Sequence, residues 1–404
     1  MDAKSIGSNI ARLRKKCGLT QMALAEKLNI SDKTVSKWES GQGYPDITLF
    51  PSLSALFGVS IDYLMLGEKR GIAVAGTTIA DIVKVIEDYP EKGMLAHISD
   101  VSYAVGGCVC NVGVDLAKID RTLPVYALGA VGNDEYGRFL TEKMKNYGVN
   151  VDGMVHLQGS DTAFTDVMSI PSGERTFFTK MGASGEFSPE HVDIASLNCD
   201  ILHIGYIFLL DKFDADDPEY GTVMARFLKN VQEAGIKTSI DVVSSNTGDY
   251  AKKIIPALKY SNYAIMNEIE SCAIFGVSPR NTNGKLDVDA IREVMEKMAE
   301  CGVKDKVVIH AKEAGFVLDV VTGEFCMVTA LDVPRSEIIG TVGAGDAFCA
   351  GCLYGIYNGY GNREMLEFAS GTAACNLFAA NSVDGMRSRE EVLAICEKYG
   401  FQEM

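Results

Sequence analysis

Residues 340–350 read Gly-Thr-Val-Gly-Ala-Gly-Asp-Ala-Phe-Cys-Ala. Glycines at 343 and 345 let the backbone turn tightly with its N–H groups facing one point. Asp346 then opens an apolar run, Ala347 to Ile356, that reads as a buried helix. A helix N-terminus binds anions, because its unpaired donors and its dipole both favour negative charge. A carboxylate beside that anion hole is placed to take a proton from a hydroxyl attacking phosphorus. Anion hole plus adjacent base is the minimum equipment for phosphoryl transfer to an alcohol. The plainer alternative is a glycine turn followed by Asp346 as an ordinary helix cap.

The chain is long enough, at 404 residues, for two or three domains with ample core. Hydrophobic content of 47% and charged content of 23% fit a globular protein, and no apolar run reaches membrane-spanning length. Residues 1–16 are polar and basic without an apolar stretch, so no signal peptide and a cytoplasmic location are expected. Eleven scattered cysteines form no disulfide framework and are expected as reduced thiols. Cys349 and Cys352 have metal-ligand spacing, but they lie in the apolar run without a second pair and read as small core residues. Net charge is −16, yet residues 1–70 carry ten Lys and Arg against seven Asp and Glu. A basic head on an acidic body is the asymmetry expected when only the head touches nucleic acid.

That head reads as short helices. Ile10, Leu13 and Cys17 fall on one helical face. Thr20 caps a second helix, Gln21 to Leu28, with Leu24, Ala25 and Leu28 inward. Asn29 suits a left-handed position. Ser31 caps a third helix to about Glu39, with Val35 and Trp38 buried. Leu49, Leu53 and Leu56 mark a fourth; Ile61, Leu64 and Leu66 a short fifth. Two short helices joined by a three-residue turn make a helix-turn-helix. The string from Leu19 to Gly41, followed by Pro45-Asp46 and Ser60-Ile-Asp-Tyr-Leu64, resembles the Cro/repressor-type DNA-binding domain over residues 4–67. The resemblance implies that the second helix of the motif reads duplex DNA through Ser31, Asp32, Lys33, Thr34 and Lys37, with Gln21 at phosphate or base. Arg12, Arg14, Lys15 and Lys16 are candidate phosphate contacts. A helical protein-binding module is the alternative for this segment. The connection Leu66-Gly-Glu-Lys-Arg-Gly71 is short, placing the domains at 1–68 and 71–404.

From Ile72 onward, apolar strand-like runs alternate with amphipathic stretches. Expected strands are Ile72–Ala75, Val125–Ala130, Ile201–Ile204, Thr238–Asp241, Tyr263–Met266 and Lys306–His310; expected helices include Tyr220–Glu233 and Val288–Cys301. Such alternation predicts a mainly parallel sheet covered on both faces. Segments around Ser99–Val105 and Thr162–Thr179 are richer in β-branched and aromatic residues and suit a small accessory sheet. In Val105-Gly-Gly-Cys-Val-Cys-Asn111, two glycines permit close backbone approach and Asn111 offers donor and acceptor, a combination suited to polyhydroxylated ligands or to simple helix–strand packing. The five histidines, at 97, 156, 191, 203 and 310, have no metal spacing and read as structural.

This long segment resembles the PfkB (ribokinase-like) carbohydrate kinases. The resemblance rests on Gly343-Ala-Gly-Asp346, on Gly106-Gly107…Asn111, and on Leu128–Gly137 and Ser172-Gly-Glu-Arg-Thr176 in the expected order. It implies an α/β fold with a small β lid, ATP and Mg2+ as cofactors, and a sugar or related alcohol as substrate. It further implies Asp346 as base with Gly343, Ala344 and Gly345 as anion hole, and Asp81, Gly106, Gly107 and Asn111 on the sugar. Asn267 and Glu270 would place magnesium and phosphate, with Glu270 the metal ligand. Lys312 and Gly315 would border the nucleotide, and Asn381 would lie near adenine. Kinases of this fold close the lid over substrate. Three departures stand out. Gly340 replaces an Asp that helps hold a monovalent cation in relatives. Asp241-Val-Val-Ser-Ser245 lacks an Arg often found near substrate, which leans against an acidic sugar. His310-Ala-Lys-Glu-Ala-Gly315 puts Lys312 where relatives carry a glycine. The combined expectation is a sugar kinase coupled to sequence-specific DNA binding, acting as a homodimer on paired half-sites. The alternative is a regulator that uses a weak or inactive kinase fold as sensor.

Overall fold

The computed structural model describes residues 3–66, 70–170, 174–244 and 249–403. The chain divides into two compact units, residues 1–70 and 71–404. The expected linker residues 67–69 lie outside the described residues, as do Ser172, Gly173 and Ser245.

The first unit is helical: α1 Ala3–Lys16, α2 Gln21–Leu28, α3 Asp32–Glu39, α4 Phe50–Phe57 and α5 Ile61–Leu66. Local chemistry sets its corners. Thr20 caps α2 by accepting from Ala23 N–H, and Ser31 caps α3 by accepting from Thr34 N–H. Asn29 takes the left-handed conformation, φ 56°, that closes α2. Leu24, Ala25, Leu28, Val35 and Trp38 meet Ile6, Ile10, Leu13, Leu53 and Leu64 in one core. Cys17 corrects the expected helical face: α1 ends at Lys16 and the thiol is exposed. Arg14 is corrected too. It is buried, and its guanidinium forms a bidentate pair with Glu39, at 2.6 and 2.8 Å. It is therefore a structural cation rather than a phosphate contact.

In the second unit, strands β1 Ile72–Gly76, β2 Ile79–Ile86, β3 Ile98–Gly106, β4 Val125–Gly132, β5 Met154–Leu157, β6 Ala163–Ser169, β7 Arg175–Lys180, β8 Ile201–Ile207, β9 Asp216–Asp217, β10 Gly221–Thr222, β11 Lys237–Val242, β12 Tyr263–Asn267, β13 Lys306–His310, β14 Ala314–Asp319 and β15 Phe325–Thr329 follow in order. The main sheet runs β15-β14-β13-β12-β11-β8-β1-β4-β5. It is parallel from β13 to β5 and antiparallel at β14 and β15. Alternate side chains feed two cores: Ile72 and Val74 enter one, Ala73 and Ala75 the other. That is why these strands read as continuous apolar runs rather than as alternation. A separate sheet, β3-β2-β6-β7, is the accessory sheet. Its central strand β2, which carries Asp81, had no expected counterpart. The helix expected from Tyr220 starts at Val223, because Gly221 and Thr222 pair with β9 and Thr222 caps the helix. No helix among the described residues is long and apolar enough to cross a membrane.

Candidate functional site

Ligands of parallel α/β sheets gather at the carboxyl ends of the strands. Here those ends present Thr77 after β1, Tyr206 on β8, Asp241 on β11, Asn267 on β12 and His310 on β13. The helix Ala344–Asn358 starts among them. Its cap, Gly343, has φ 82°, and a Cβ there would lie 2.6 Å from Ser382 Cβ. Both conformation and space demand glycine. The N–H of Ala344 is spent on the Thr341 carbonyl at 3.3 Å, which corrects its place among the anion-hole donors. The N–H groups of Gly345 and Asp346 have no hydrogen-bond partner among the described residues.

A cleft of about 450 Å3 ends on this turn, lined by Ala344, Gly345, His310, Lys312, Gly315 and Phe348, among others. Lys312 sits in the β13–β14 turn with its side chain 80% exposed, its ammonium 3.8 Å from a Glu313 carboxylate oxygen. Gly315 is bare because a Cβ would meet the Phe348 ring at 2.7 Å. His310 packs on that ring at 5.0 Å and is held neutral, its pKa pushed down to about 4 by burial. It therefore lines the cleft beside Gly345, beyond the purely structural role read from sequence. Asn381 does not line the cleft. Its amide closes a turn instead, donating to Asp384 at 2.7 Å and accepting from Asp384 N–H.

Next to the turn lies a buried cluster of polar side chains. Asp346 is 8% exposed. Its Oδ1 accepts from the Tyr206 hydroxyl at 2.6 Å and its Oδ2 from Asn111 Nδ2 at 2.9 Å. Burial raises its pKa, and these two donors oppose the rise. A hydrogen bond to a charged acceptor contributes roughly 1.5–3 kcal/mol, so two of them offset much of the cost of burying the charge. Asn111 Oδ1 is buried with no partner, an acceptor awaiting a donor. Gly107, φ 80°, caps the helix Cys108–Ile119 that carries Asn111, and a Cβ there would strike the Thr77 carbonyl at 2.6 Å. Asp81 lies against Gly106, where a Cβ would be 2.5 Å from its Oδ2. Burial pushes Asp81 up to about 7; Arg175 opposes the shift and Asp346 adds to it. Arg175, at the start of β7, also donates to the Ala380 carbonyl at 3.0 Å. It brings a cation to a site that seemed to lack one.

Asn267 and Glu270 come together, but in a capping box. Asn267 Oδ1 accepts from Ile269 and Glu270 N–H, both at 2.9 Å, and Glu270 accepts from Asn267 N–H. Beside Glu270 stands Asp241. Burial pushes both carboxyls up, Glu270 to about 7, with the Glu270 charge adding to the rise at Asp241. Two buried carboxylates lacking a cation fit a divalent ion held by one or two carboxylates plus phosphates and water. No cluster of three or more His, Cys, Asp or Glu side chains that could hold a metal by themselves occurs among the described residues. Tyr206 was not legible as a site residue, because nothing local distinguishes it; Asp241 and Arg175 stood in segments compared with the family, but without a role of their own. An aspartate at 340 would not fit unaided, since its Cβ would lie 2.7 Å from the Ala379 carbonyl.

The family model described as pfkB family carbohydrate kinase matches residues 69–388. The chain belongs to that family. A helix-turn-helix model matches residues 10–64. This pfkB kinase is 25% identical over 328 residues to a ribokinase of Arabidopsis thaliana, covering 80% of each chain. It is 23% identical over 306 residues to a 5-dehydro-2-deoxygluconokinase of Halalkalibacterium halodurans, covering 73% of this chain and 86% of that one. Among solved structures, Arabidopsis thaliana ribokinase complexed with ribose and ATP superposes with a TM-score of 0.66 at 20% identity, over 83% of this chain and all of that one. A Methanocaldococcus jannaschii nucleoside kinase gives 0.61 at 19% identity, over 82% and 99%. The pfkB kinase fold is thus joined to a helix-turn-helix in one chain.

Around that motif, Lys33 and Lys37 are exposed on α3, with Asp32 and Ser31 at its start. Ser31 Oγ also bonds the Thr34 hydroxyl at 2.8 Å, so the two are tied to each other. Gln21 is corrected in part: its amide nitrogen donates to Glu39 at 2.8 Å, which leaves its oxygen.

Proposed function

We propose that the large unit transfers the terminal phosphoryl group of ATP to a hydroxyl of a sugar or related alcohol, and that the helical unit binds duplex DNA. The observation that carries the kinase reading is the position of Asp346. It is buried beside a turn with two unpartnered N–H groups, on which a cleft ends, and against a polar cluster with an unpaired amide oxygen. In this reading the nucleotide fills the cleft, with its terminal phosphate at Gly345 and Asp346 N–H. The sugar lies against Asp81, Gly106, Gly107 and Asn111. Asp346 takes the proton from the attacking hydroxyl. The new oxygen–phosphorus bond forms as the bond to the bridging oxygen breaks, and ADP leaves with that electron pair. A magnesium ion held by Glu270 with Asp241 would neutralise phosphate charge. Asp81, Asp241 and Asp346 make the pocket acidic, which favours a neutral polyol; Arg175 is the cation that would admit an acidic one. Measuring ATP consumption against a panel of sugars, sugar acids and nucleosides is the test. Turnover is expected with at least one neutral polyol, and none with any member would leave only the sensor reading. That second reading is favoured by the exposed Lys312 and by the loop packed against Gly340.

For the head, the reading predicts binding to duplex DNA that weakens steeply with salt. Lys33→Ala is expected to relax sequence preference if Lys33 reaches a base edge, and to weaken all sequences alike if it touches phosphate. Salt-insensitive behaviour of the full chain in an electrophoretic titration would point to a protein-binding module.

A further inference from the structure

We infer that Tyr206 is a positioning residue for the phosphoryl-transfer base, an inference that rests on Asp346 being that base. The Tyr206 hydroxyl donates to Asp346 Oδ1 at 2.6 Å, while Asn111 holds Oδ2 at 2.9 Å. Each oxygen of the carboxylate is therefore pinned by one donor, from two different elements. With both oxygens held, rotation of the carboxyl plane is blocked, and one lone pair per oxygen stays open for a substrate proton. The hydroxyl also has an electrostatic task, set by the groups that face Asp346. From β2 comes Asp81; from the helix Cys108–Ile119 come Cys108 and Asp115; from β11 comes Asp241; from its own helix comes Cys349. Each of these groups is shifted by the charge on Asp346. Burial favours protonation of the base, which would disable it, while the charge on Asp346 helps hold these neighbours protonated. The phenol is uncharged and donates only a hydrogen bond, and that bond favours the ionised carboxylate. Asn111 does the same on the other side, but its oxygen faces the sugar pocket, so Tyr206 is the donor whose role does not overlap with binding.

The sign follows directly. A base must be ionised, so activity is lost as pH falls through its pKa. Removing the phenol hydroxyl raises that pKa and moves the acidic limb of turnover to higher pH. The experiment is a titration of the Asp346 carboxyl in the full chain by carbon-13 NMR with labelled aspartate, the resonance being assigned by its loss in Asp346→Asn. It is paired with pH profiles of turnover using MgATP and ribose. Tyr206→Phe is expected to move the carboxyl titration up by about one unit or more, the scale for a lost hydrogen bond to a charged group. Turnover at pH 7 should fall about tenfold or more and recover toward alkaline pH, with KM nearly unchanged. A purely structural tyrosine would lower turnover equally at all pH values and leave the titration in place, and that result overturns the inference. If Tyr206→Phe does not fold, fluorination of the Tyr206 ring keeps its shape while making the phenol a stronger donor. The titration must then move down, and no movement overturns the inference as well. If Asp346→Asn keeps its turnover, the base assignment itself falls; if it loses turnover while the Tyr206 variants titrate like the parent, only the role of Tyr206 falls.

Discussion

Asp346→Asn should lose turnover by at least about a hundredfold while ATP still binds, the usual scale for a positioned general base. The substitution is nearly isosteric. Tyr206 can still donate to the remaining oxygen, and the helix Ala344–Asn358 keeps its glycine cap, so the anion-binding turn is untouched. What disappears is the capacity to accept a proton. Because the carboxylate is buried among Asp81, Asp115 and Asp241, replacing it by a neutral amide also removes a buried charge, and thermal stability should be equal or higher. Steady-state turnover, calorimetric ATP titration and thermal unfolding together check the prediction. Turnover near the parent value would remove Asp346 from the mechanism. A collapse of ATP affinity would instead place the aspartate in nucleotide binding.

The second large effect is expected between sugar and DNA. The resemblance to PfkB kinases implies that a lid closes over substrate, and a homodimer of heads, if formed as the sequence leads one to expect, would read half-sites whose spacing DNA geometry sets. Only residues 67–71 separate the end of α5 at Leu66 from the start of β1 at Ile72, so a substrate-driven shift has little chain in which to dissipate. Saturating sugar with a non-hydrolysable ATP analogue should therefore change operator affinity by roughly 1–3 kcal/mol, about 5–150-fold, and operator DNA should change sugar affinity by the same factor. The sugar is the one that the substrate panel identifies. Repeating the titration with about ten Gly and Ser residues inserted after Glu68 tests the route, since such a tether spans roughly 17 Å as a flexible coil. Equal operator affinity in every condition would mean that the two units are only tethered. An undiminished ligand effect after insertion would show that the connection does not transmit it.

Much of the architecture was legible because the signals are local. The parallel strands announced themselves as apolar runs, since a strand buried on both faces has no polar side to show. The helix-turn-helix was legible from Thr20, Asn29 and Ser31, whose side chains and backbone act within four residues of their own position. Where a residue's fate depended on distant packing, the reading failed. Arg14 looked like one of four similar basic residues, yet Glu39, 25 positions on, draws it inward. Asn381 looked placed for a nucleotide, yet it turns back on its own loop. Strand β2 was missed because its residues serve a thin sheet whose two faces are unevenly covered, which blurs the alternation.

The sequence by itself determined the pairing of a helix-turn-helix with an α/β kinase, the glycine turn at 343–345 and the carboxylate that follows it. Each of these is written in contiguous residues whose conformational limits act locally: glycine where φ is positive, a cap where a helix begins. Tertiary structure alone decided what surrounds that carboxylate. Tyr206 is 140 positions from Asp346 and Asn111 is 235 away; Arg175 meets a carbonyl 205 residues on. A proton's affinity for Asp346 depends on how much water has been excluded and which donors have been brought within 3 Å, and both are set by packing of the whole chain rather than by neighbours in sequence.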